Sequence, residues 1–301
     1  MRDRYFIPPV VPKSSSSAAG WNTGQWREWL GRLVGSAKGH LVALSRENED
    51  PAARVHKARK ALKRLRSGTR LLGGIVEKDC LKQNRRLFRE AARLLAGSRD
   101  GTVRLRTFDL MMKSAPDGAP GESLARAREL LAAEAAAGEQ EAGKGAADAL
   151  ALLEQVSFPP DAWQKAGKSE IKQGLQRLLR RARSDYADLV EGRSEEFHEL
   201  RKRVKDLYYA VQALPAAPKG SRQRALKSLR VLEESLGRQN DVFVLEEWFR
   251  HAGFGPEQCP QFWEAASRRD KKLRKIVIRE GAALNELGKS QKFRKALAGA
   301  S

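Results

Sequence analysis

Apolar residues recur every three or four positions over most of the chain, which is the spacing of one buried face of an α-helix. No run alternates between apolar and polar residues as a half-buried strand does. The clearest helical patterns cover residues 25–44, 122–155, 169–190 and 261–287. Clusters of proline, glycine and polar residues interrupt them at residues 50–51, 73–74, 114–121, 158–161, 214–220 and 253–256. We therefore predict an all-α protein.

Two blocks of sequence occur twice at a nearly constant separation. The pattern H-x-x-R-K-x-x-K begins at His56 and again at His198, 142 residues later. A second block, residues 95–108, aligns with residues 236–249 at a separation of 141. We interpret this arrangement as a tandem duplication in which each half has about four long helices, which predicts two helical bundles. The predicted halves are residues 21–158 and 159–301, after an N-terminal tail of residues 1–20.

The first motif separates charged from apolar residues on a helical wheel. At about 100° per residue, its cation-capable side chains fall within roughly 120° of arc. These side chains are His56, Arg59, Lys60, Lys63, Arg66 and Arg70. The opposite face carries Ala58, Ala61, Leu62, Leu65 and Leu72. We expect that apolar face to pack in the core and the basic face to be available to a ligand.

The second motif repeats this division between a polar and an apolar face. Its polar face carries His198, Arg201, Lys202, Lys205 and Tyr209. Its apolar face carries Leu200, Val204, Leu207, Val211 and Leu214. The helix that follows each motif is also basic, and we expect it to form another wall of a groove. The basic residues of these following helices are Lys82, Arg86, Arg89 and Arg93 in the first half and Arg224, Lys227 and Arg230 in the second.

The distribution of charge favours a ligand for these basic faces. There are 58 lysines and arginines against 37 acids, a formal net charge of +21. Residues 54–113 hold 18 basic and 5 acidic residues, whereas residues 114–160 hold 3 and 8. Residues 54–70 include no acid, although like charges at i and i+4 destabilise a helix. We therefore predict binding of a polyanion, because arginine forks and lysine ammonium groups hold phosphate oxygens.

The paired motif helices resemble those of the CHAD family, the conserved histidine alpha-helical domain. The sequence Lys63-Arg64-Leu65-Arg66 and the later Arg99-Asp100-x-x-Val103 element carry the same resemblance, which extends over about residues 22–298. It implies two four-helix bundles, related by a pseudo-twofold axis, around a basic central cavity that binds inorganic polyphosphate. The family's basic residues then map onto His56, Arg59, Lys60, Lys63, Arg64, Arg66, His198, Arg201, Lys202 and Lys205.

The chain departs from the family pattern in its second half. Tyr208 stands where the family often has arginine, and Asp206 directly follows Lys205. Asn240-Asp241 replaces the Arg-Asp pair of the first half. From these differences we expect the second half to bind polyphosphate more weakly than the first.

Other kinds of function have less support in the sequence. The motif histidines have arginine and lysine where a second metal ligand would stand, so we expect a phosphate contact or a structural hydrogen bond, with no metal and no cofactor. The sequence lacks a Gly-rich phosphate loop, a Ser/His/Asp arrangement and a paired-carboxylate site, which predicts that the protein is not an enzyme. Non-specific binding of DNA or RNA is the alternative, since phosphate backbones attract the same cations.

The sequence also bears on where the protein is found. It has no signal-peptide pattern and no apolar run of the roughly 20 residues that span a membrane. Its two cysteines, Cys80 and Cys259, form no CxxC arrangement, which is typical of a reducing compartment. We expect a cytoplasmic protein without a membrane partner, and polyphosphate granules are a candidate location.

Overall fold

A computed structural model describes residues 22–45, 51–113, 121–141, 143–164, 168–192, 197–214 and 221–289. The predicted tail lies outside these residues, as does most of the predicted breaks at 114–121 and 214–220. Within the described part the fold is all-α, as predicted, and no helix there is long and apolar enough to cross a membrane. The helices are α1 (Thr23–Val42), α2 (Pro51–Leu71), α3 (Lys78–Leu94), α4 (Gly97–Met112), α5 (Glu122–Gln140), α6 (Ala146–Glu154), α7 (Lys168–Val190), α8 (Phe197–Ala213), α9 (Ser221–His251) and α10 (Pro260–Lys289).

Local signals in the sequence determine where several helices begin and end. The Asn22 side chain caps α1 by accepting from the Gln25 N–H at 2.9 Å, and the Gln25 side chain accepts from the Asn22 N–H at 2.9 Å. α2 begins at Pro51, whose fixed φ suits the first helical position. After α2, Gly74 turns the chain with φ +102°, a conformation that glycine adopts readily. The helices predicted over residues 25–44, 169–190 and 261–287 are confirmed to within a few residues.

The single helix predicted over residues 122–155 is wrong, because two helices, α5 and α6, occupy this segment. The break includes Gly143, whose φ of +100° lies outside the helical region of the backbone. Gly145 then lets α6 approach α3, since a Cβ there would lie 2.3 Å from the Leu94 carbonyl oxygen. Apolar spacing continues on both sides of the break, so spacing alone did not reveal it.

Two apolar cores hold the helices together, and each contains residues from both halves of the sequence. The larger combines α1, α2, α3, α6, α7 and α8 with the first part of α9 and the last part of α10. The smaller combines α4 and α5 with the last part of α9 and the first part of α10. In it, Phe249 stacks on Phe262 with 3.6 Å between ring centroids. Within the described residues, α1, α2, α3 and α6 pack around one another, and so do α7, α8, α9 and α10, while the two apolar cores run across both halves.

The repeat in the sequence corresponds to a repeat of helices. A shift of 141 to 142 residues brings α1 onto α7 and α2 onto α8. The same shift brings α3 and α4 together onto α9, one uninterrupted helix of 31 residues. The first half therefore has a break between α3 and α4 where the second half continues as helix.

Helices from different halves approach closely where α7 passes the end of α2. A Cβ at Gly174 would lie 2.3 Å from the Leu71 carbonyl oxygen, so only glycine fits at this position. One turn later, Arg177 donates a hydrogen bond to the Gly73 carbonyl oxygen, just beyond the end of α2. A cation at this end of a helix satisfies carbonyl groups that lack helical partners. Gly174 and Arg177 thus fix α2 against the second half.

Gly174→Ala is expected to destabilise the protein, because the added methyl group meets backbone atoms that cannot move aside. Overpacking of this kind costs about 1–3 kcal/mol. Gly31→Ala is the matched control, since a Cβ at Gly31 meets nothing within 4 Å. Alanine there should stabilise α1 by about 0.5–1 kcal/mol. Denaturant unfolding followed by circular dichroism measures both effects, and equal unfolding midpoints for the two variants would contradict the close approach of α7 to α2.

Candidate functional site

The motif helices α2 and α8 pack against each other, and their apolar faces lie in the larger core as the helical wheel predicted. The buried residues of the first motif are Ala58, Ala61, Leu62, Leu65 and Leu72. Those of the second motif are Leu200, Val204, Leu207, Val211 and Leu214. Because one face of each helix is fixed in the core, the cationic faces point away from it.

A buried carboxylate joins these two helices. Asp206 on α8 is 6% exposed, and its Oδ1 accepts from Ser67 Oγ at 2.9 Å and from Arg70 Nη1 at 2.8 Å. A buried charge is tolerated only when it is paired and hydrogen-bonded, and these two donors on α2 meet both conditions. Asp206 therefore holds the helices together, and Arg70, predicted as a ligand contact, pairs within the protein.

The cationic faces of α2 and α8, together with α4 and α9, line a cavity of about 640 Å³. Its lining includes eight lysines and arginines against four acids. The predicted site residues that the structure brings together here are His56, Arg59, Lys60, Lys63, Arg64, His198, Arg201, Lys205, Tyr209 and Arg230. The duplication thus places both motif histidines, and cations of both motifs, around one space.

The remaining predicted site residues do not line this cavity. Arg66 is half-buried beside Arg70, and Lys202 is exposed and paired with Glu199 at 2.6 Å. The basic residues predicted on the following helices are exposed on α3 and α9. These exposed residues are Lys82, Arg86, Arg89, Arg93, Arg224 and Lys227.

The first-half wall of the cavity is formed by α2 and α4. Arg59 donates a hydrogen bond to the Leu95 carbonyl oxygen at the end of α3, which orients its guanidinium. The Arg64 guanidinium lies 5.9 Å from the centroid of the Tyr209 ring, across the boundary between the motif helices. On α4, Arg104 pairs with Glu134 of α5 at 2.7 Å. Each of these arginines is therefore held in place by a neighbouring element.

The second-half wall is formed by α8 and α9, and acids enter it. His198 Nδ1 lies 3.3 Å from Asn240 Oδ1, which also accepts from Arg201 at 3.4 Å. Lys205 Nζ pairs with Glu233 at 3.0 Å. Arg230 pairs with Glu234 at 2.8 Å. Lys205 and Arg230 are therefore each paired with a carboxylate of α9, so part of the positive charge of this wall is neutralised within the protein.

Burial changes the ionisation of the lining. The pKa of Lys205 is lowered by burial first and then by the Arg201 guanidinium, while Glu233 partly opposes this. Burial raises the pKa of Tyr208 and of Tyr209, so both phenols stay neutral and can donate a hydrogen bond. An anion in the cavity would favour the charged form of Lys205 and accept from these phenols.

Several lining residues were missed by reasoning from the sequence. They are Asp100, Val103, Arg104, Tyr208, Gln212, Glu233, Glu234, Asn240, Asp241 and Val244. Six of these belong to the block that repeats at residues 95–108 and 236–249, so the repeat itself was the available signal. Glu233 and Glu234 had no such signal, because the first half lacks acids at the matching positions.

A metal site needs several histidine, cysteine, aspartate or glutamate side chains close together. Among the described residues, no three of these types lie close enough together to hold a metal ion. His56 and His198 both line the cavity, but cations surround them there. Nearby cations oppose a divalent ion, so the geometry favours an anionic ligand.

The all-α fold and the basic cavity between repeated motif helices define the class of this protein. The model of the CHAD domain family matches residues 30–250 of the sequence. The chain belongs to the CHAD domain family, as the resemblance of its motif helices predicted. No curated protein matches the sequence.

Two solved structures share the fold at low sequence identity. The crystal structure of the CHAD domain from the plant Ricinus communis matches with a TM-score of 0.55 and 19% identity, over 93% of this chain and 93% of that one. PptA from Streptomyces chartreusis matches with a TM-score of 0.54 and 16% identity, over 87% of this chain and 99% of that one. At these identities the likeness establishes the helical fold.

Asp206→Ala is expected to destabilise the fold, because it leaves Ser67 and Arg70 without their shared acceptor between the motif helices. Loss of a buried partner costs about 1–3 kcal/mol. Glu129→Ala is the control, since Glu129 is 69% exposed and forms only a surface pair, for which a change within about 0.5 kcal/mol is expected. Urea unfolding of both variants measures the difference, and equal stabilities would show that Asp206 does not join α2 to α8.

Proposed function

We propose that this protein binds inorganic polyphosphate in the cavity between α2, α4, α8 and α9, and that it catalyses no reaction there. The convergence of cations from both motif helices on one space of about 640 Å³ carries the proposal. Cations held this close repel one another, and a bound anion offsets that repulsion. On this proposal the protein is found where polyphosphate accumulates in the cell, for example at granules.

The chemistry of polyphosphate suits the groups that line the cavity. Every unit of polyphosphate carries anionic oxygens, and the polymer has no base or apolar group that the cavity would have to accommodate. Arginine forks hold two such oxygens at once, and lysines add charge without a strict direction. The neutral phenols of Tyr208 and Tyr209 add hydrogen-bond donors at the same surface.

The aromatic residues of the lining favour polyphosphate over a nucleic acid. Proteins that bind single strands present aromatic faces on which bases stack. Tyr209 is only 9% exposed, and the Arg64 guanidinium lies over its ring. Tyr208 is half-buried and packs against Tyr209, with 5.5 Å between ring centroids. Tyr209 is therefore covered and Tyr208 is partly covered, so phosphate contacts are the interaction that this lining favours.

The acids of the cavity support binding rather than hydrolysis. Glu233 and Glu234 are each paired with a cation, Lys205 and Arg230 respectively. A carboxylate that is already neutralised by a cation is a poor metal ligand and a poor general base. Two of the four acids of the lining are therefore engaged by cations, and the remaining lysines and arginines supply donors for phosphate oxygens.

Reversing the charge of Lys60 and Lys63 tests the proposal. Both residues lie on the polar face of α2, so Lys60→Glu with Lys63→Glu should leave the helical circular dichroism and melting temperature nearly unchanged. Affinity for long-chain polyphosphate should fall by roughly a hundredfold or more, because like charges then meet in the cavity. Isothermal titration calorimetry measures the loss.

The matched control is Lys271→Glu with Lys272→Glu. These exposed lysines on α10 lie outside the cavity, and the variant changes the net charge by the same amount. Its affinity should stay within about threefold of the unaltered protein, since salt screens distant charges. Equal losses in the two double variants would show that polyphosphate responds only to total charge, and would refute the cavity as the binding site.

A further inference from the structure

The contacts where α2 meets α8 repeat each other under the duplication. A shift of 142 residues takes Arg64 to Asp206 and Ser67 to Tyr209. Arg64 lies over the Tyr209 ring at 5.9 Å, and Ser67 donates to Asp206 at 2.9 Å. Under this shift each contact corresponds to the other, because positions 64 and 209 of the first contact are equivalent to positions 206 and 67 of the second. The meeting of the motif helices is approximately twofold symmetric.

This symmetry gives one end of the cavity a counterpart in the first half. At that end the lining comes from α8 and α9, and we name it the α8–α9 arm. The residues of the α8–α9 arm are Tyr208, Gln212, Arg230, Glu233 and Glu234. The counterpart positions on α2 and α3, found by a shift of 141 to 142 residues, form the α2–α3 arm. The residues of the α2–α3 arm are Arg66, Arg70, Arg89, Ala92 and Arg93.

In each arm, an arginine of the second helix lies close enough to a side chain of the first helix to affect its pKa, after the larger effect of burial. Arg230 on α9 acts on the ionisation of Tyr208 on α8. The counterparts of these residues are Arg89 on α3 and Arg66 on α2, and Arg89 acts on the ionisation of Arg66 in the same way. The side chains of α2 and α3 therefore share a surface as those of α8 and α9 do.

The two arms differ in charge. In the α8–α9 arm, Glu234 forms an ion pair with Arg230, and the neighbouring Glu233 forms an ion pair with Lys205. In the α2–α3 arm, Arg93 stands at the position of Glu234 and Ala92 at that of Glu233. Asp206 pairs with Arg70, whereas no carboxylate of the described residues forms an ion pair with Arg66, Arg89 or Arg93.

The arginines of the α2–α3 arm are crowded without full compensation. Burial lowers the pKa of Arg66, and the neighbouring Arg70 lowers it further, while Asp206 partly opposes this. Arg85, which hydrogen-bonds Thr69 from α3, has a pKa that is lowered by burial and by Arg70 as well. An anion placed among these guanidinium groups would relieve the repulsion and accept charge-assisted hydrogen bonds.

We propose that bound polyphosphate leaves the cavity in one direction, along the α2–α3 arm. This inference rests on the proposed function and adds a subsite that makes binding depend on chain length. In the α8–α9 arm, Glu233 and Glu234 already occupy Lys205 and Arg230, so this arm offers the polymer fewer cations than the α2–α3 arm does. Only chains that are long enough to pass from the cavity onto Arg66 and Arg89 gain the additional contacts.

The double substitution Arg66→Gln and Arg89→Gln, made in the full-length protein, tests whether the α2–α3 arm binds polyphosphate. Affinity of the unaltered protein should rise with chain length beyond the length that fills the cavity. The double variant should bind tripolyphosphate as well as the unaltered protein does, but should lose roughly tenfold for the longest chains. Arg126→Gln with Arg268→Gln is the control, since it neutralises two surface-paired arginines on α5 and α10 and should keep the length dependence.

Removing the charges of Glu233 and Glu234 tests whether these two acids keep polyphosphate away from the α8–α9 arm. Glu233→Gln with Glu234→Gln should raise affinity for long chains several-fold. Glu129→Gln with Glu264→Gln removes the same charge from exposed positions on α5 and α10, and should raise that affinity much less. Equal gains in the two double variants would show that Glu233 and Glu234 do not close the α8–α9 arm.

The possible results distinguish failure of the one-armed path from failure of the proposed function. No loss in the Arg66 and Arg89 variant, or the same loss at every chain length, would overturn the one-armed path while polyphosphate binding itself stands. Failure of the unaltered protein to bind any polyphosphate would instead refute the proposed function. If circular dichroism shows early melting of the double variant, Arg89→Gln alone, at an exposed position, provides the same comparison.

Discussion

Two cationic helices lie side by side in this fold, and the repulsion between them is the constraint that the rest of the structure has to satisfy. Neither α2 nor α8 can move away from the other without exposing the apolar face that it buries in the larger core. Carboxylates of the protein compensate part of this positive charge. Asp206 pairs with Arg70 and accepts a hydrogen bond from Ser67, and Glu233 pairs with Lys205. Burial first and the Arg201 guanidinium second lower the pKa of Lys205, so an anion beside it would favour its charged form. On the proposed function, a polyanion completes the compensation.

The cavity depends on the way in which the duplicated halves share their packing. Both apolar cores take residues from both halves, and the contact of Gly174 with the end of α2 joins them again. The cavity walls come from α2 and α4 of one half and from α8 and α9 of the other. A binding site of this kind exists only when the whole chain is folded, so the duplication produces one shared cavity in place of two separate basic surfaces.

Features that depend on a single helix could be predicted from the sequence, and features that depend on how helices meet could not. The polar and apolar faces of α2 and α8 follow from the helical period alone, and the structure confirms them. Arg70 lies on the same arc as Lys63, but a carboxylate on another helix pairs with it. Arg104 and Glu233 enter the cavity through the packing of α4 and α9, which no local pattern encodes. The family resemblance implied a basic cavity in advance, while its uneven charge comes from Glu233 and Glu234, which have no acidic counterparts in the first half.

The most direct test of polyphosphate as the ligand is a competition titration. Long-chain polyphosphate, duplex DNA and RNA compete for the protein at equal phosphate concentration and at one ionic strength, because binding of every polyanion depends steeply on salt. The proposed function, with the two tyrosines of the cavity largely covered, predicts that polyphosphate displaces both nucleic acids and that neither displaces it. Nucleic acid that binds as tightly per phosphate as polyphosphate, or more tightly, would contradict this account and leave general polyanion binding as the function.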